Sequence, residues 1–385
     1  MGEFLINSKI FNVLIYSDHF YPLIGGSENY SMDLAMELSR QGHNVSVITS
    51  DQAMVPDNFP FKIYRLAKPF SIKRININFL EIPHIVKAFK PDIFHISYQT
   101  GGENLLIPLI RILKIPIILT YHADHVTIRG RMIDELQMVS TFRMVNMILV
   151  QSKRDMNKLK RKGIPNRKLI FHNFNGIDTE KYQCSNDIKK EAKTHVKLIC
   201  ISRLDDSHLY KGVDHLINTA FANKNFFAEG KISLKIIGDG NLRKKLEMLV
   251  KSHNLPNVIF AGNLSGSDLL KELCSSDYLI LPSVNDAEGF GRTALEAIAC
   301  GIPVVVSKYA GISEIIDKYR SGIVYDPFCT PNVFEIIYES FSKYRNNIEA
   351  KVRNGYKMIE AEKLSLSTSV NYTVNLYEKL IQIKP

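Results

Sequence analysis

The sequence contains few cysteines and no cysteine motif. Five occur among 385 residues, at positions 184, 200, 274, 300 and 329, and none forms a C-x-x-C pair. The pattern therefore carries no zinc-binding spacing. Cys200, Cys274 and Cys300 lie in or beside apolar patterns. We expect the cysteines to be buried thiols of a protein held in a reducing compartment.

Signals for export and for membrane insertion are also missing from the pattern. The first seven residues lack the basic start and the apolar stretch of a signal peptide, and Ile6 stands where a myristoylation motif has Ser or Thr. The longest apolar run, 105–121, contains Arg111, Lys114 and two prolines. Such a run predicts a helix followed by a strand. We expect a cytoplasmic protein.

Nucleic-acid motifs are absent too, although the formal net charge is +10. Up to His172 there are 22 Lys and Arg against 14 Asp and Glu, and beyond it 27 against 25. The densest basic segment is 153–162, and no aromatic residue lies between its cations. We therefore expect no nucleic-acid partner. The segment is either a solvated helix face or a contact with an anionic membrane surface, which would place the protein peripherally on the inner face.

The length and the strand pattern predict two domains, because a chain of 385 residues exceeds the size of one core. Short apolar runs alternate with helical patterns, as in buried parallel sheets wrapped by helices. The predicted strands are 12–16, 44–49, 62–66, 93–96, 115–120 and 147–150, then 197–201, 233–237, 258–260, 278–281, 304–306 and 322–325. We predict α/β domains at 1–172 and 173–363, both doubly wound and Rossmann-like, facing a central cleft. An amphipathic helix in 364–385 would pack back on the first domain.

Candidate ligand-binding residues follow the predicted strands of the first domain. Ligands bind beyond the carboxyl ends of strands in open α/β sheets. After the first strand, Gly25 and Gly26 open a helix, where an anion is favoured, although a plain turn is the alternative. The G-x-G-x-x-G fingerprint of dinucleotide-binding domains is absent. His122 follows the fifth strand and could donate a hydrogen bond or exchange a proton, unless it is merely structural.

Two cations follow the first strand of the second domain. Arg203 and Lys211 flank a loop, where they could neutralise a diphosphate without a metal ion, although surface cations are common in loops. Gly238 ends the next strand in a glycine turn. His122 and His125 do not have the H-E-x-x-H spacing, and no Cys/His cluster is visible, so no metal site is predicted.

Glu288 and Glu296 flank a predicted helix start near position 289. Over this interval a helix rises roughly 12 Å, at 1.5 Å per residue. That separation is too large for a glycosidase acid/base pair. It suits contacts at the two ends of one extended ligand whose phosphates face the helix N-terminus. An ordinary α/β connection with a solvated Glu296 is the alternative.

Taken together, these residues resemble the family-4 retaining glycosyltransferases with the GT-B fold, over nearly the whole chain. The most specific match is the E-x7-E pattern of Glu288 and Glu296, which lies within Glu-Gly-Phe-Gly and precedes Ala-Cys-Gly-Ile-Pro-Val-Val. One departure is the interval of eight positions between Arg203 and Lys211, which is longer than in many members and leaves the loop conformation open.

The resemblance implies a role for each candidate residue. Glu288 would bind hydroxyls of the donor sugar, and Glu296 the ribose of the nucleotide. The remaining donor-binding residues would be the backbone of Phe290, Gly291 and Thr293, the glycines Gly25, Gly26 and Gly238, and the diphosphate-binding Arg203 and Lys211. His122 would lie beside the anomeric centre. We treat His122 and Glu288 as the catalytic pair, Glu288 acting by positioning and not as a nucleophile.

The predicted activity is retaining transfer of a hexose-type sugar from a nucleotide-diphosphate sugar to a hydroxyl acceptor. The acceptor would be a glycan or a lipid-linked sugar in surface glycan or glycolipid biosynthesis, and no cofactor or metal ion would be needed. Alternatives are a catalytically silent nucleotide-sugar-binding protein and a sugar-nucleotide epimerase. A glycan phosphorylase lacks a visible lysine context for pyridoxal, and an NAD-dependent dehydrogenase lacks its fingerprint.

Overall fold

The computed structural model describes residues 9–23, 25–50, 58–66, 71–72, 75–76, 81–98, 106–122, 132–172, 175–184, 194–342 and 345–382. The start of the chain and His125 lie outside these ranges. The chain divides into two compact units. Unit 1 comprises Met1–Gly176 and Leu366–Pro385, and unit 2 comprises Ile177–Ser365. These divisions fall within a few residues of the domain limits inferred from the sequence.

Unit 1 is built on a parallel sheet in the order β3-β2-β1-β6-β7-β8-β9. Its strands are β1 Asn12–Ser17, β2 Asn44–Thr49, β3 Lys62–Arg65, β6 Ile93–Tyr98, β7 Ile117–Thr120, β8 Met147–Val150 and β9 Leu169–Phe171. A short antiparallel pair joins β4 Ser71–Ile72 to β5 Ile75–Asn76. Its helices are α1 Gly26–Arg40, α2 Ile82–Phe89, α3 Leu106–Ile112, α4 Met132–Met144, α5 Lys153–Arg161 and the C-terminal helix, together with a 3₁₀ turn at Asn166–Lys168.

Both faces of this sheet are buried. Successive strand residues point to opposite faces, and those of β1 pack into two separate apolar clusters. Leu14 packs with the apolar residues of α2 and α3 on one face, whereas Ile15 packs with α1 on the other. The second face is completed by the C-terminal helix Leu366–Gln382, whose buried Val370, Val374 and Tyr377 lie on one side of the helix. The last helix of the chain is therefore part of the core of unit 1.

Unit 2 repeats the architecture with a parallel sheet in the order β12-β11-β10-β13-β14-β15. Its strands are β10 Val196–Ile201, β11 Ile232–Ile237, β12 Val258–Gly262, β13 Tyr278–Leu281, β14 Val304–Ser307 and β15 Gly322–Tyr325. Its helices are α6 Val213–Ala222, α7 Lys224–Ala228, α8 Arg243–Ser252, α9 Gly266–Cys274, α10 Arg292–Ala299, α11 Ser313–Tyr319, α12 Val333–Ser342 and α13 Arg345–Ala361, and the helix of unit 1 that follows is α14.

The two ends of unit 2 meet. The backbone N–H of Ile177 donates to the carbonyl oxygen of Leu364 at 2.8 Å, and Ile177 forms a parallel bridge with Ser365. Ile177 and Leu364 are also buried in the same apolar cluster. The first and last residues of unit 2 therefore lie next to each other.

The cysteine prediction is wrong in part. Cys184 and Cys274 form a disulfide, and Cys329 is exposed. Cys200 and Cys300 are buried free thiols, and burial raises the pKa of Cys200 to about 12. The disulfide partners are 90 positions apart, so folding and not sequence spacing brings them together. The cysteines therefore no longer argue for a reducing compartment. Among the described helices, none has the length and apolar character needed to cross a bilayer.

Candidate active site

The candidate residues of unit 2 lie at the point where the strand order of its sheet reverses. Strand β10 has β11 on one side and β13 on the other. Connections from the two central strands leave on opposite faces at such a point, and a crevice opens beyond their carboxyl ends. Lys211 follows β10 and Glu288 follows β13. The chain thus delivers one cation and one carboxylate to this crevice.

Lys211 and Glu288 form an ion pair. The Lys211 Nζ donates to the Glu288 Oε2 at 2.7 Å, and the Ser283 hydroxyl donates to the same oxygen at 2.9 Å. The Glu288 side chain is 5% exposed and that of Lys211 is 22% exposed. A buried carboxylate requires such partners, since burial of an unpaired charge is costly. The pair holds Glu288 in one position and leaves the ammonium group further donors for a ligand.

The loop between Arg203 and Lys211 closes as a 3₁₀ segment, Asp206–Lys211, with a kink at His208. The Asp205 side chain caps its start by accepting from the Ser207 N–H at 3.0 Å. Gly212 ends the helix at φ 68°, and a Cβ there would overlap the carbonyl oxygen of Pro282. The long interval between the two cations is therefore ordered. Arg203 is half-buried at the start of this loop.

Helix α10 begins at Arg292, three positions later than the predicted start near 289. Gly291 adopts φ 92°, outside the helical region, and a Cβ there would come within 2.7 Å of the Leu281 Cδ2. Only glycine takes this conformation without strain. Phe290 is buried below the turn, and Thr293 lies in the first turn of the helix. The positive end of the helix dipole lies at this turn and favours an anion.

Glu296 lies one turn into α10 and pairs with Arg292, a residue that the sequence analysis did not single out. The Arg292 Nε lies 3.3 Å from the Glu296 Oε1, and both side chains are less than 10% exposed. Their i,i+4 spacing could have suggested the pair. Because the helix starts later than predicted, Glu296 lies about one turn from its N-terminus, not two. Glu288 and Glu296 thus have separate basic partners.

Gly238 occupies a close contact between neighbouring strand ends. It has φ 138°, and a Cβ at this position would overlap the carbonyl oxygen of Ser202. The Ser202 N–H donates to the Ile237 carbonyl at 2.9 Å. The described geometry gives Gly238 a steric role in joining β10 to β11.

Gly25 and Gly26 open helix α1 in unit 1. Gly25 is the N-cap residue in extended conformation, and no side chain caps the helix. A Cβ at Gly26 would meet nothing within 4 Å among the described residues. No side chain occupies the N-cap hydrogen bonds of this helix, and such a helix N-terminus favours an anion.

His122 follows β7, as predicted, and two groups of unit 1 fix its ring. The Nε2–H donates to the carbonyl oxygen of Ser97 at 2.9 Å. This contact sets the tautomer, because a carbonyl oxygen can only accept. The Tyr30 ring lies against the imidazole edge to face, with centroids 5.3 Å apart.

The support behind His122 is a chain of buried polar groups. The Tyr30 hydroxyl pairs with the Thr120 Oγ1 at 3.1 Å, and Thr120 pairs with the His95 Nε2 at 2.8 Å. The His95 Nδ1 lies 2.6 Å from the Tyr377 hydroxyl on α14. Burial, reinforced by His172 and then His122, lowers the pKa of His95 to about 3, so this ring is neutral. The C-terminal helix thus belongs to the network that positions His122.

The fold has counterparts among solved structures. Anabaena HepE in complex with UDP-glucose matches with a TM-score of 0.76 and 16% identity, over 96% of this chain and 99% of that one. At this identity the match shows the fold alone. The two parallel-sheet α/β units therefore have the GT-B fold, in which two Rossmann-like domains occur in one chain.

Sequence comparison identifies the family. Residues 24–181 match Glycosyltransferase Family 4, and residues 185–355 match Glycosyl transferases group 1. An uncharacterized glycosyltransferase of Methanocaldococcus jannaschii is 26% identical over 311 residues, which cover 79% of this chain and 81% of the relative. The alpha-monoglucosyldiacylglycerol synthase of Streptococcus pneumoniae is 24% identical over 337 residues, which cover 81% of this chain and 74% of the relative. The chain belongs to the family-4 glycosyltransferases of GT-B fold, so the predicted family is confirmed.

Proposed function

We propose that the protein transfers a hexose-type sugar from a nucleotide-diphosphate sugar to a hydroxyl acceptor, with retention at the anomeric carbon. The observation that carries the proposal is the buried Lys211–Glu288 pair beside the N-terminus of α10. A carboxylate fixed in this way can accept hydrogen bonds from sugar hydroxyls, and the adjacent ammonium group can bind a phosphate. The solved relative binds UDP-glucose, a ligand with both groups.

The donor would extend from Glu288 to Glu296. Glu288 would hold the sugar, the N–H groups at Phe290, Gly291 and Thr293 would face the phosphates, and Glu296 would bind the ribose. The ion pair with Arg292 orients the Glu296 carboxylate, which could then accept hydrogen bonds from two ribose hydroxyls. Gly238 would allow the strand ends to approach closely beneath the ligand.

The chemistry requires stabilisation of a leaving diphosphate. Negative charge grows on its oxygens as the bond to the sugar breaks, so Lys211, Arg203 and the helix N-terminus would bind the transition state more tightly than the ground state. In unit 1, Gly25 and Gly26 would serve the phosphates and the acceptor. His122, with its Nε2–H fixed on Ser97, would present its other ring face beside the anomeric centre. The acceptor proton would pass to the departing phosphate.

These groups supply the positive charge that other transferases obtain from Mg²⁺, so we propose that transfer needs no metal ion. Activity should persist in excess EDTA. A complete loss that Mg²⁺ restores would contradict this part of the proposal.

We further propose that the acceptor is lipid-linked and that unit 1 meets an anionic membrane. Helix α5 buries Leu159 and exposes Lys153, Lys160 and Arg161. At the end of α3, Ile112 is 76% exposed and Leu113 is 42% exposed. Exposed apolar side chains beside cations are typical of an interfacial surface.

The cations near these two surfaces are close to one another. Burial lowers the pKa of Lys168, and the charges of Arg111 and Arg167 lower it further. Arg111 belongs to α3 and Lys168 follows α5, so cations of both segments contribute to one basic region of unit 1. The pneumococcal relative is named for a lipid product, which agrees with a lipid acceptor.

The donor role is tested with Glu288→Gln. Release of nucleotide from UDP-, GDP- and ADP-sugars is followed by mass spectrometry with mixed acceptors, and nucleotide binding is measured by calorimetry. We expect transfer to fall by about 100-fold or more while nucleotide binding persists. Glu247→Gln on α8 is the matched control. A fully active Glu288→Gln enzyme would refute the assignment, and failure of the wild type with every donor would favour a silent binder.

The membrane role is tested by vesicle sedimentation. The double variant Lys160→Glu/Arg161→Glu should bind anionic vesicles at least about tenfold more weakly, since each cation near the surface contributes about 1 kcal/mol. Lys244→Glu/Lys251→Glu, at two exposed positions of α8 in unit 2, is the charge-matched control. Equal binding of all three proteins, or no binding of the wild type, would refute the membrane proposal and leave the donor proposal intact.

A further inference from the structure

Three cysteine sulfurs lie together in unit 2. The Sγ atoms of Cys184, Cys274 and Cys300 are all within 4.8 Å of one another. Cys184 precedes β10, Cys274 is the last residue of α9, and Cys300 directly follows α10. Cys184 and Cys274 form the disulfide, and Cys300 is a thiol that is 4% exposed. These positions are far apart in the sequence, so the cluster cannot be recognised from a spacing motif.

We propose that reduction of the disulfide creates a three-thiolate site for one thiophilic divalent cation such as Zn²⁺. Tetrahedral zinc has Zn–S distances of about 2.3 Å, which separate its sulfur ligands by roughly 3.8 Å. The three sulfurs already lie within the range that a small movement can bring to this value. Cys184 lies outside helices and strands, so its side chain can move away from Cys274 once the bond is broken.

The surroundings suit a structural metal site. Cys274 and Cys300 are held by the ends of two helices, and both pack on an apolar cluster that includes Leu273, Ala297 and Ile298. Anchored ligands reduce the entropy that must be lost on binding, and an apolar shell excludes competing water. Cys184 and Cys274 are only half-buried, which gives an ion access. The fourth position of the metal is left to a water molecule.

The thiols must lose protons to bind the ion. Burial, and then the charge of Glu296, raise the pKa of Cys300 to about 12. A free thiolate is therefore disfavoured, whereas a bound cation deprotonates a coordinating thiol. Affinity should increase between about tenfold and a thousandfold per pH unit near neutrality, according to whether one or three protons are displaced.

The disulfide and the metal exclude each other. A dithiol reductant transfers two electrons and two protons to the Cys184–Cys274 bond, which gives two thiols and the oxidised reductant. The three thiols then release up to three protons as the cation binds. The site is thus loaded only in reduced protein, and it stands apart from the proposed sugar transfer.

The test is a Co²⁺ titration of full-length protein, with and without prior reduction by a dithiol that is then removed. Reduced wild type should bind one equivalent, with thiolate-to-cobalt absorption in the near ultraviolet that Zn²⁺ abolishes. Oxidised protein should show no thiolate-to-cobalt band and should not bind an equivalent of Co²⁺. Cys300→Ser should lose the band, and Cys329→Ser, whose cysteine is exposed and outside the cluster, should retain it.

The proposal fails if reduced wild type gives no thiolate band, or if Cys300→Ser keeps it. Should Cys300→Ser not fold, protection of thiols from alkylation decides the question in wild type. Zn²⁺ should protect Cys184, Cys274 and Cys300 together from alkylation. If Zn²⁺ does not change the alkylation of these thiols, the proposed metal site is refuted. Neither readout depends on enzyme activity, so a failed metal site and a failed donor assignment remain distinguishable.

Discussion

Acid should loosen the C-terminal helix from unit 1 through two buried histidines. His95 contacts the Tyr377 hydroxyl, and the His172 Nε2 lies 2.9 Å from the Thr373 Oγ1. Both partners belong to α14. Burial lowers the pKa of His95 to about 3 and, against a backbone hydrogen bond at Ser369, that of His172 to about 4. Both rings are therefore neutral in the folded protein at pH 5.

The direction of the pH effect on stability follows from the linkage between proton binding and folding. In the unfolded chain the pKa of each histidine is about 6.5, so the unfolded state takes up protons that the folded state refuses. The contribution of the two groups to stability is complete above pH 6.5 and is lost as the pH falls towards 4 and 3. In this window the contribution of each histidine to the free energy of unfolding falls by about 1.4 kcal/mol per pH unit. Between pH 7.5 and pH 5.0 the pair should cost about 4 kcal/mol of unfolding free energy.

Hydrogen exchange read by mass spectrometry is a suitable assay, because the chain has no tryptophan and exchange resolves α14 separately. Exchange in α14 should accelerate at pH 5.0 relative to pH 7.5, after correction for the intrinsic rate. The double variant His95→Gln/His172→Gln should be less stable at pH 7.5 but should lose about 4 kcal/mol less on acidification. His253→Gln in unit 2 is the control. A double variant with the wild-type pH dependence would refute the reasoning.

Three further substitutions have defined outcomes. Lys211→Met leaves the Glu288 carboxylate buried without its cation, and urea denaturation should show unit 2 about 3 kcal/mol less stable, an effect that Lys211→Arg should largely reverse. Gly291→Ala forces a side chain into φ 92° and should cost about 1–3 kcal/mol in thermal unfolding, whereas Gly26→Ala, in open space, should cost less than half of that. Tyr377→Phe removes a hydroxyl from buried His95 and should speed exchange in α14 by about tenfold, corresponding to about 1–2 kcal/mol; an unchanged rate would exclude the hydroxyl from the docking of this helix.

Strands that are fully buried could be predicted from the sequence almost to the residue. Met147–Val150 and Tyr278–Leu281 have the predicted bounds, because parallel strands covered on both faces leave continuous apolar runs. Asn44–Thr49 also has the predicted bounds, and its Val and Ile residues are all buried. The strand expected at 115–120 begins at Ile117, since Pro116 has no N–H to donate and only its carbonyl oxygen joins the ladder, at 2.9 Å from the Phe94 nitrogen. Short β9 gave too brief a pattern to be predicted.

The candidate site was only partly predictable. Residue types at strand ends could be found, because the carboxyl ends of parallel strands share one edge of the sheet. The pairing of these residues with one another could not be predicted. Lys211 and Glu288 are 77 positions apart and Cys184 and Cys274 are 90 apart, and no local pattern encodes such pairs. The start of α10 was misplaced because only the backbone reveals that Gly291 has a positive φ.

The meeting of Ile177 with Leu364 and Ser365 has an evolutionary consequence. A segment whose two ends coincide can be replaced by a homologous segment through two recombination events, and the host domain then needs no new linker. Genes of this type could therefore exchange the segment that forms unit 2 and keep the rest of the chain, with its last helix, as unit 1. Chimaeras joined at these two positions would reproduce such an exchange in the laboratory.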